Sequence, residues 1–445
     1  MESRDLIVTP IILFLVYAVA YFIRPWVTDE VNRRYFFPAL TVRIVGALAV
    51  GFIYQFYYTG GDTFAYHTHG SRPLWEEMID SPINGVRLLF SNGEYGPGIW
   101  DTASKIWYWN DPQSFFVIRI AAILDLLTFS SYSGTAVLFA VIAFSGGWMF
   151  FLTFYKVYPE LHKWIAASVL FIPSVVFWGS GIFKDTITLA ALGAATFAFH
   201  ALFIQRRVTV RSILLLVISF WIVFSIKKYI LLCFFPALLF WAVATYLSRI
   251  PSAMLRMSIA PATVVIAAFL SYYAINRVSE DDARYNVRNL AQTAQITAYD
   301  IRYGWGARTG EGSGYTLGQL DGTWNSMLRL APAAINISLY RPYLWEVENP
   351  LMLLSALEGL TLLVLTVYAL WAGRWSIFRY IRRPDVLFCL SFALVFAFAV
   401  GVSTFNFGTL SRYKIPMMPF YVLAIGIIHG YVKRERNVGV LASTE

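Results

Sequence analysis

Asp62 stands in the run Tyr58-Thr59-Gly60-Gly61-Asp62-Thr63-Phe64-Ala65-Tyr66-His67, where a long apolar stretch ends. A carboxylate at the edge of a membrane can act as general base toward an acceptor hydroxyl. The two glycines allow a sharp backbone turn. If a helix starts at Asp62, then Asp62, Tyr66 and His69 share one face by the i, i+4, i+7 rule. The competing reading is a helix cap, a role that suits an aspartate after two glycines. Lys184-Asp185 opens another apolar block. There the pair could flank a phosphate and its acceptor, or Asp185 could cap the helix while Lys184 reaches the headgroups.

Cations form the second half of the pattern. Arg412 and Lys414 precede Pro416 and Pro419, Lys227-Lys228 separates two apolar blocks, and Arg284, Arg288, Arg302, Arg308 and Arg341 punctuate a long polar segment. A guanidinium binds phosphate bidentately, so a phosphate or diphosphate is a natural partner for such a set. Ion pairs to Glu280, Asp281, Asp282, Asp300 and Glu346 are the alternative. His67, His69 and Asp62 look superficially like a metal cluster, but residues at i and i+2 do not share a helical face, so no metal site is expected. Arg43 and Glu358 are ionisable residues inside apolar blocks, a functional hint. No phosphate-cradling glycine loop, zinc-protease motif or nucleophile elbow occurs.

The elements that must position these residues are membrane helices. Only 14% of the 445 residues are charged and 58% are hydrophobic, where a soluble domain carries roughly a quarter charged. The apolar residues come in blocks of about 18 to 25, enough to cross a bilayer as helices. The expected fold class is all-α, a polytopic transmembrane protein. About eleven spans are predicted by length: 6–23, 38–58, 132–155, 163–179, 186–204, 210–226, 228–248, 256–274, 350–373, 385–404 and 413–432. Segment 112–129 is apolar but carries Arg119 and Asp125, and mid-bilayer charges are costly. It is therefore laid at the interface. Cys233 and Cys389 both fall in apolar blocks and read as packing residues, not a disulfide. Residues 6–23 follow no cleavage-site pattern and read as a retained helix.

With that threading, Arg24, Arg33, Arg34, Lys156, Lys163, Arg206, Arg207, Arg211, Arg249, Arg256, Arg374, Arg379, Arg382, Arg383, Lys433, Arg434 and Arg436 all fall on one side. The positive-inside rule makes that side cytoplasmic. In such a chain the net charge of +9 is an orientation signal, and nucleic acid is not an expected partner. Residues 59–131, with Trp75, Trp100, Trp107 and Trp109 as a headgroup belt, and residues 275–349 become extracytoplasmic insertions in a single membrane domain, 1–445. Asp62, Lys184-Asp185, the 275–349 segment and Arg412-Lys414 then converge on one face, suited to an anionic, lipid-attached substrate.

An external aspartate just after an early span, followed by interfacial helices, resembles the C-type membrane glycosyltransferases. The run Phe171-Ile172-Pro173-Ser174 through Lys184-Asp185 is similar to their segment holding a second acidic residue. Arg412-Tyr413-Lys414-Ile415-Pro416-Met417-Met418-Pro419-Phe420 resembles the start of a late helix in bacterial members. The Gly-Gly-Asp-Thr…Tyr element is similar to one in exopolysaccharide and O-antigen polymerases, and Arg341-Pro342-Tyr343-Leu344-Trp345-Glu346 with Asn349-Pro350 and Glu358 resembles bacterial membrane proteins of this general kind.

The resemblance implies a sugar transfer from a polyprenyl-phosphate or diphosphate donor to a glycan or lipid acceptor, outside the bacterial inner membrane, in envelope or surface polysaccharide assembly. Asp62 and Asp185 would be the catalytic carboxylates. Tyr66, His69, Lys184, Lys227, Lys228, Arg284, Arg288, Arg341, Glu346, Arg412 and Lys414 would bind substrate. Asp62-Thr63 replaces the usual acidic pair, which weakens the case for a metal; no cofactor is required, and a divalent cation stays open. The helix at 6–23 has no counterpart in that pattern. A repeat-unit polymerase is the neighbouring alternative. A secondary transporter of an anionic substrate is the alternative from another class, although no internal repeat occurs.

Overall fold

The computed structural model of this protein describes residues 2–279, 289–305 and 313–442. All regular structure among them is helical, with one isolated bridge between Gly314 and Asn406. Eight of these helices are long and apolar enough to cross a membrane, or nine if the bent pair Phe407–Tyr413 and Met418–Glu435 forms one span. Two of the eight could not be stable in water. The helix Met254–Arg277 has 6% of its most apolar window buried within the protein and Ser3–Val27 has 17%. An apolar helix exposed nearly all round requires a lipid surrounding. The chain is an integral, multi-pass helical membrane protein.

Local breaks fall within or beside three stretches of the expected spans. Segment 163–179 is two short helices, His162–Leu170 and Pro173–Trp178, because Pro173 disfavours helical backbone in the residue before it. The blocks 210–226 and 228–248 are two helices within the run Val210–Ser248, separated by a kink at Lys227, which leaves helical geometry (φ −143°, ψ 74°). The last block bends by 68° between its two helices.

The chain falls into two compact units. The first comprises Met1–Val157, Val175–His200 and Val208–Lys227; the second comprises Tyr158–Ser174, Ala201–Arg207 and Lys228–Glu445.

In the first unit the helix Tyr132–Tyr155 is central, packed by Lys184–Phe199, Arg33–Phe56 and Ser3–Val27. Small residues make this possible. A Cβ on Gly146 would sit 2.3 Å from the Ala190 backbone, and one on Gly193 would sit 2.2 Å from the Gly146 carbonyl oxygen. In lipid, close backbone approach of this kind supplies the dispersion contacts that hold helices together. At one end of the bundle, Trp148 Nε1 donates to the Val27 carbonyl at 3.3 Å and the Tyr155 hydroxyl to Asp29 at 3.0 Å. At the other end, the Ser131 hydroxyl donates to Asp5 at 2.7 Å and Arg72 pairs with Glu2 at 2.6 Å. The N-terminus and the 59–131 insertion thus meet at the end away from the loops rich in Arg24, Arg33, Arg34 and Lys156.

The helix expected at the interface, 112–129, forms as Pro112–Thr128, and its Asp125 is fully buried. Ser71 donates to that carboxylate at 2.6 Å, Thr135 donates to its other oxygen, and His67 Nε2 lies 3.5 Å away. The desolvation that argued against this helix crossing a bilayer is therefore met by internal hydrogen bonds. Arg119 sits over the Phe115 ring and donates to the Ser91 carbonyl.

In the second unit, Pro384–Thr404 packs on Ala331–Tyr340 and on the last helix, Met418–Ala442, which also contacts Pro350–Gly373 and His162–Leu170. Phe234, Phe388, Phe392 and Phe420 form its aromatic core, with Trp241 stacked on Phe388 at 4.4 Å. Asp385 anchors one end, accepting from Trp241 Nε1 at 2.7 Å and the Tyr158 hydroxyl at 2.6 Å. Arg434–Glu160 at 2.9 Å and Arg379–Glu435 at 2.8 Å join basic loops at that same end. At the other end the polar segment docks: Tyr315 donates its N–H to the Phe405 carbonyl at 3.0 Å, and the Tyr315 and Thr404 hydroxyls lie 2.8 Å apart.

Candidate functional site

Three consecutive residues with positive φ, Thr59 (54°), Gly60 (142°) and Gly61 (125°), turn the chain before the helix Asp62–Tyr66. Two of them must be glycine because an added Cβ makes such backbone costly. The N-cap is Gly61, whose carbonyl accepts from the N–H groups of Phe64 and Ala65. Asp62 is the first helical residue, not the cap. It is half-buried, and the Tyr108 hydroxyl donates to its Oδ1 at 3.4 Å.

The face anticipated from Asp62, Tyr66 and His69 meets one partner, the pair Trp107-Tyr108. The rings of Tyr66 and Tyr108 lie 5.2 Å apart, and His69 stacks on Trp107 at 4.0 Å and 5°. The backbone passes through a π-helical turn, His67–Ser71, before the next α-helix; such turns are rare and frequent at functional sites. Tyr66 is buried, so it supports the site from behind and offers no open face for a substrate. His67 points inward to Asp125 while His69 faces Trp107, so the two imidazoles diverge. Among the described residues no group of three His, Cys, Asp or Glu side chains is placed to hold a metal.

Lys184 and Asp185 begin the helix Lys184–Phe199, whose N-cap is Phe183. The expected cap at Asp185 is absent. Asp185 is instead fully buried and ion-paired with Lys227, so it is not open to a substrate. The break in helical geometry at Lys227 falls where its ammonium turns to that carboxylate. Lys184 pairs with Asp111 at 3.2 Å. Burial pushes the Asp111 carboxyl up, but the Ser114 hydroxyl, the Lys184 charge and the Gln113 N–H outweigh it and hold the group below its usual range. The Asp111 N–H donates to the Tyr108 carbonyl at 3.1 Å. One short turn therefore joins Asp62, through Tyr108, to Lys184, through Asp111. Arg43 is occupied by backbone, donating to the carbonyls of Val175 at 2.8 Å and Gly179 at 3.1 Å.

The remaining expected residues fall in the second unit, or outside the described residues in the case of Arg284, Arg288 and Arg308. Lys228 is half-buried in the second unit. Arg341 takes the ion-pair alternative: its Nε lies 2.9 Å from Glu346 Oε2, and its other terminus meets Oε1. Hydrogen bonds from Arg341 and the Tyr343 N–H overcome burial and hold Glu346 below the usual carboxylate range. The Arg341 guanidinium also lies 5.3 Å from the Phe407 ring, on the helix Phe407–Tyr413 that carries half-buried Arg412. Just beyond, at the bend, Lys414 is 1% exposed, and its Nζ has no hydrogen-bond partner among the described residues. Glu358 accepts from the Ser174 N–H at 2.9 Å, while its Oε1 and the Ser174 hydroxyl are likewise buried without a partner among the described residues.

Sequence reasoning missed Tyr108 and Asp111. The cluster Trp107-Tyr108-Trp109-Asn110-Asp111 reads as a membrane belt, and nothing local to it points to Asp62. A comparison of the chain with protein-family models, curated proteins and solved structures finds no match to any of the three.

Proposed function

We propose that this protein is a membrane-embedded glycosyltransferase, moving a sugar from a polyprenyl-phosphate or diphosphate donor to a hydroxyl of a glycan or lipid acceptor. The observation that carries this reading is the turn at 108–111, which ties a half-buried carboxylate, Asp62, to a cation, Lys184. Base and cation are the two groups such a transfer needs. The Asp62 carboxylate takes the acceptor hydroxyl's proton as the new bond to C1 forms. The C1–O bond to phosphate breaks with its electrons leaving on the phosphate, which is drawn to Lys184 once Asp111 yields its place. Attack and departure on opposite faces of C1 give inversion.

In this reading Asp185 and Lys227 are positioning residues that hold the start of the Lys184 helix. The Trp107 and His69 stack offers a flat wall at the mouth of the site. The site faces outward from the bacterial plasma membrane, and repeat-unit polymerisation is the same chemistry with a longer donor.

Asp62→Asn is the test. It keeps the size and shape of the side chain but cannot take the proton, so transfer from polyprenyl-linked sugar donors in membranes should fall by about 10²- to 10⁴-fold, with expression and donor binding retained. Near-full transfer by the variant removes Asp62 as the base.

A second reading has one observation in its favour. Buried, ionisable Lys414 at a bend between apolar helices and Glu358 within the apolar helix Pro350–Gly373 fit an ion-coupled transporter. Substrate-dependent uptake into proteoliposomes that survives Asp62→Asn but not Glu358→Gln would select it.

A further inference from the structure

A cavity of about 430 Å³ opens in the second unit, far along the chain from the residues assigned above, between the segment Glu160 to Trp164 and the last helix at His429, Gly430, Lys433 and Arg434. Its charge is unbalanced. Lys163, Lys433 and Arg434 face it against one carboxylate, Glu160, which is taken by Arg434 at 2.9 Å. Lys163 and Lys433 are exposed, with no ion-pair partner among the described residues. Two ammonium groups are thus left to an anion.

The setting is that of a lipid headgroup. Trp164 forms part of the wall and contacts the His429 ring at 5.2 Å, and the lining residues of the last helix directly follow its long apolar stretch. The neighbouring segment Arg374–Ile381 packs on the same helix and exposes Trp375 at 86% and Phe378 at 57% beside Arg379. Exposed indole and phenyl rings next to arginines mark the boundary between lipid tails and water. The volume lies within the range of small-molecule sites, about 300–1,000 Å³, and Gly430 lets Leu161 pack closely on the last helix beside it, where a Cβ would meet the Leu161 side chain at 2.4 Å.

We propose that this cavity is a binding site for the phosphate headgroup of an anionic phospholipid, held by Lys163 and Lys433. Arg434 is kept in place by Glu160, and Trp164 lies at the glycerol level. The site is independent of the transferase reading: it needs neither Asp62 nor a sugar donor.

The test is native mass spectrometry of the full-length protein in detergent, offered phosphatidylglycerol, phosphatidylcholine or inorganic phosphate. The wild type should retain phosphatidylglycerol over phosphatidylcholine. Lys163→Ala with Lys433→Ala should lose that preference by roughly 30-fold, and Lys163→Arg with Lys433→Arg should keep it. An unchanged preference in the double alanine variant overturns the proposal. Displacement of the lipid by inorganic phosphate overturns the lipid assignment and makes the cavity a site for a soluble anion. Matching thermal transitions of the alanine and arginine variants would tie the difference to binding; should the alanine variant unfold, the proposal stands or falls on Lys433→Gln alone, which is expected to lose part of the preference.

Discussion

Lys184 and Asp111, separated by 73 residues in the chain, lie 3.2 Å apart. Their pairing fixes where the turn carrying Tyr108 stands relative to the start of the helix Lys184–Phe199. The neighbouring residue, Asp185, turns inward to Lys227. Two adjacent residues thus make two ion pairs of different kinds, one half-exposed and one buried.

The buried pair should be the more sensitive to single changes. Lys227→Ala takes the ammonium partner from the buried Asp185 carboxylate, which costs about 3–5 kcal/mol. Lys227→Met with Asp185→Leu removes both charges and should recover most of that loss, because the desolvation penalty goes with them. Thermal unfolding in detergent of these two variants, and of Lys227→Met and Asp185→Leu singly, checks this. Additive losses in the double variant would show that the two side chains do not act as a pair.

The half-exposed pair should show in the acid limb of stability. Asp111 has its carboxyl held below its ordinary value, so its contribution is fully present above the unfolded value of about 3.9 and is lost as pH falls through the lower folded-state value. With 44% of the Asp111 side chain exposed, solvent screening limits the pair to about 0–1 kcal/mol. Asp111→Asn should therefore melt slightly below the wild type at neutral pH, and the two should converge in strong acid. Convergence already at neutral pH would remove the pair as a stabilising contact.

Reporter fusions test the orientation. A reporter active only outside the cytoplasm, placed after Gly96, should be active; one placed after Arg382 or at the C-terminus should be silent. The basis is the gathering of the arginine- and lysine-rich loops at one end of each unit together with the positive-inside rule. The reverse pattern would put Asp62 in the cytoplasm and leave the proposed external donor site without access to its substrate.

Apolar block length was enough to establish the helical membrane class, because hydrocarbon admits few other backbone arrangements. Helix starts at Asp62 and Lys184 were also legible, since glycine turns and the onset of an apolar run are local features. Pairings were less so. Lys227-Lys228 could be read as the boundary between two apolar blocks, but nothing local shows that Lys227 turns to Asp185, 42 residues away. Which aspartates are fully buried was decided by the tertiary structure alone. Asp62, Asp125 and Asp185 look alike in sequence, yet Asp125 takes hydroxyls from Ser71 and Thr135, Asp185 takes an ammonium, and Asp62 stays half-buried beside Tyr108. The physical reason is that a carboxylate's environment is set by donors brought from distant segments, and the energy of satisfying a buried charge is a property of the packed chain, not of its neighbours in sequence.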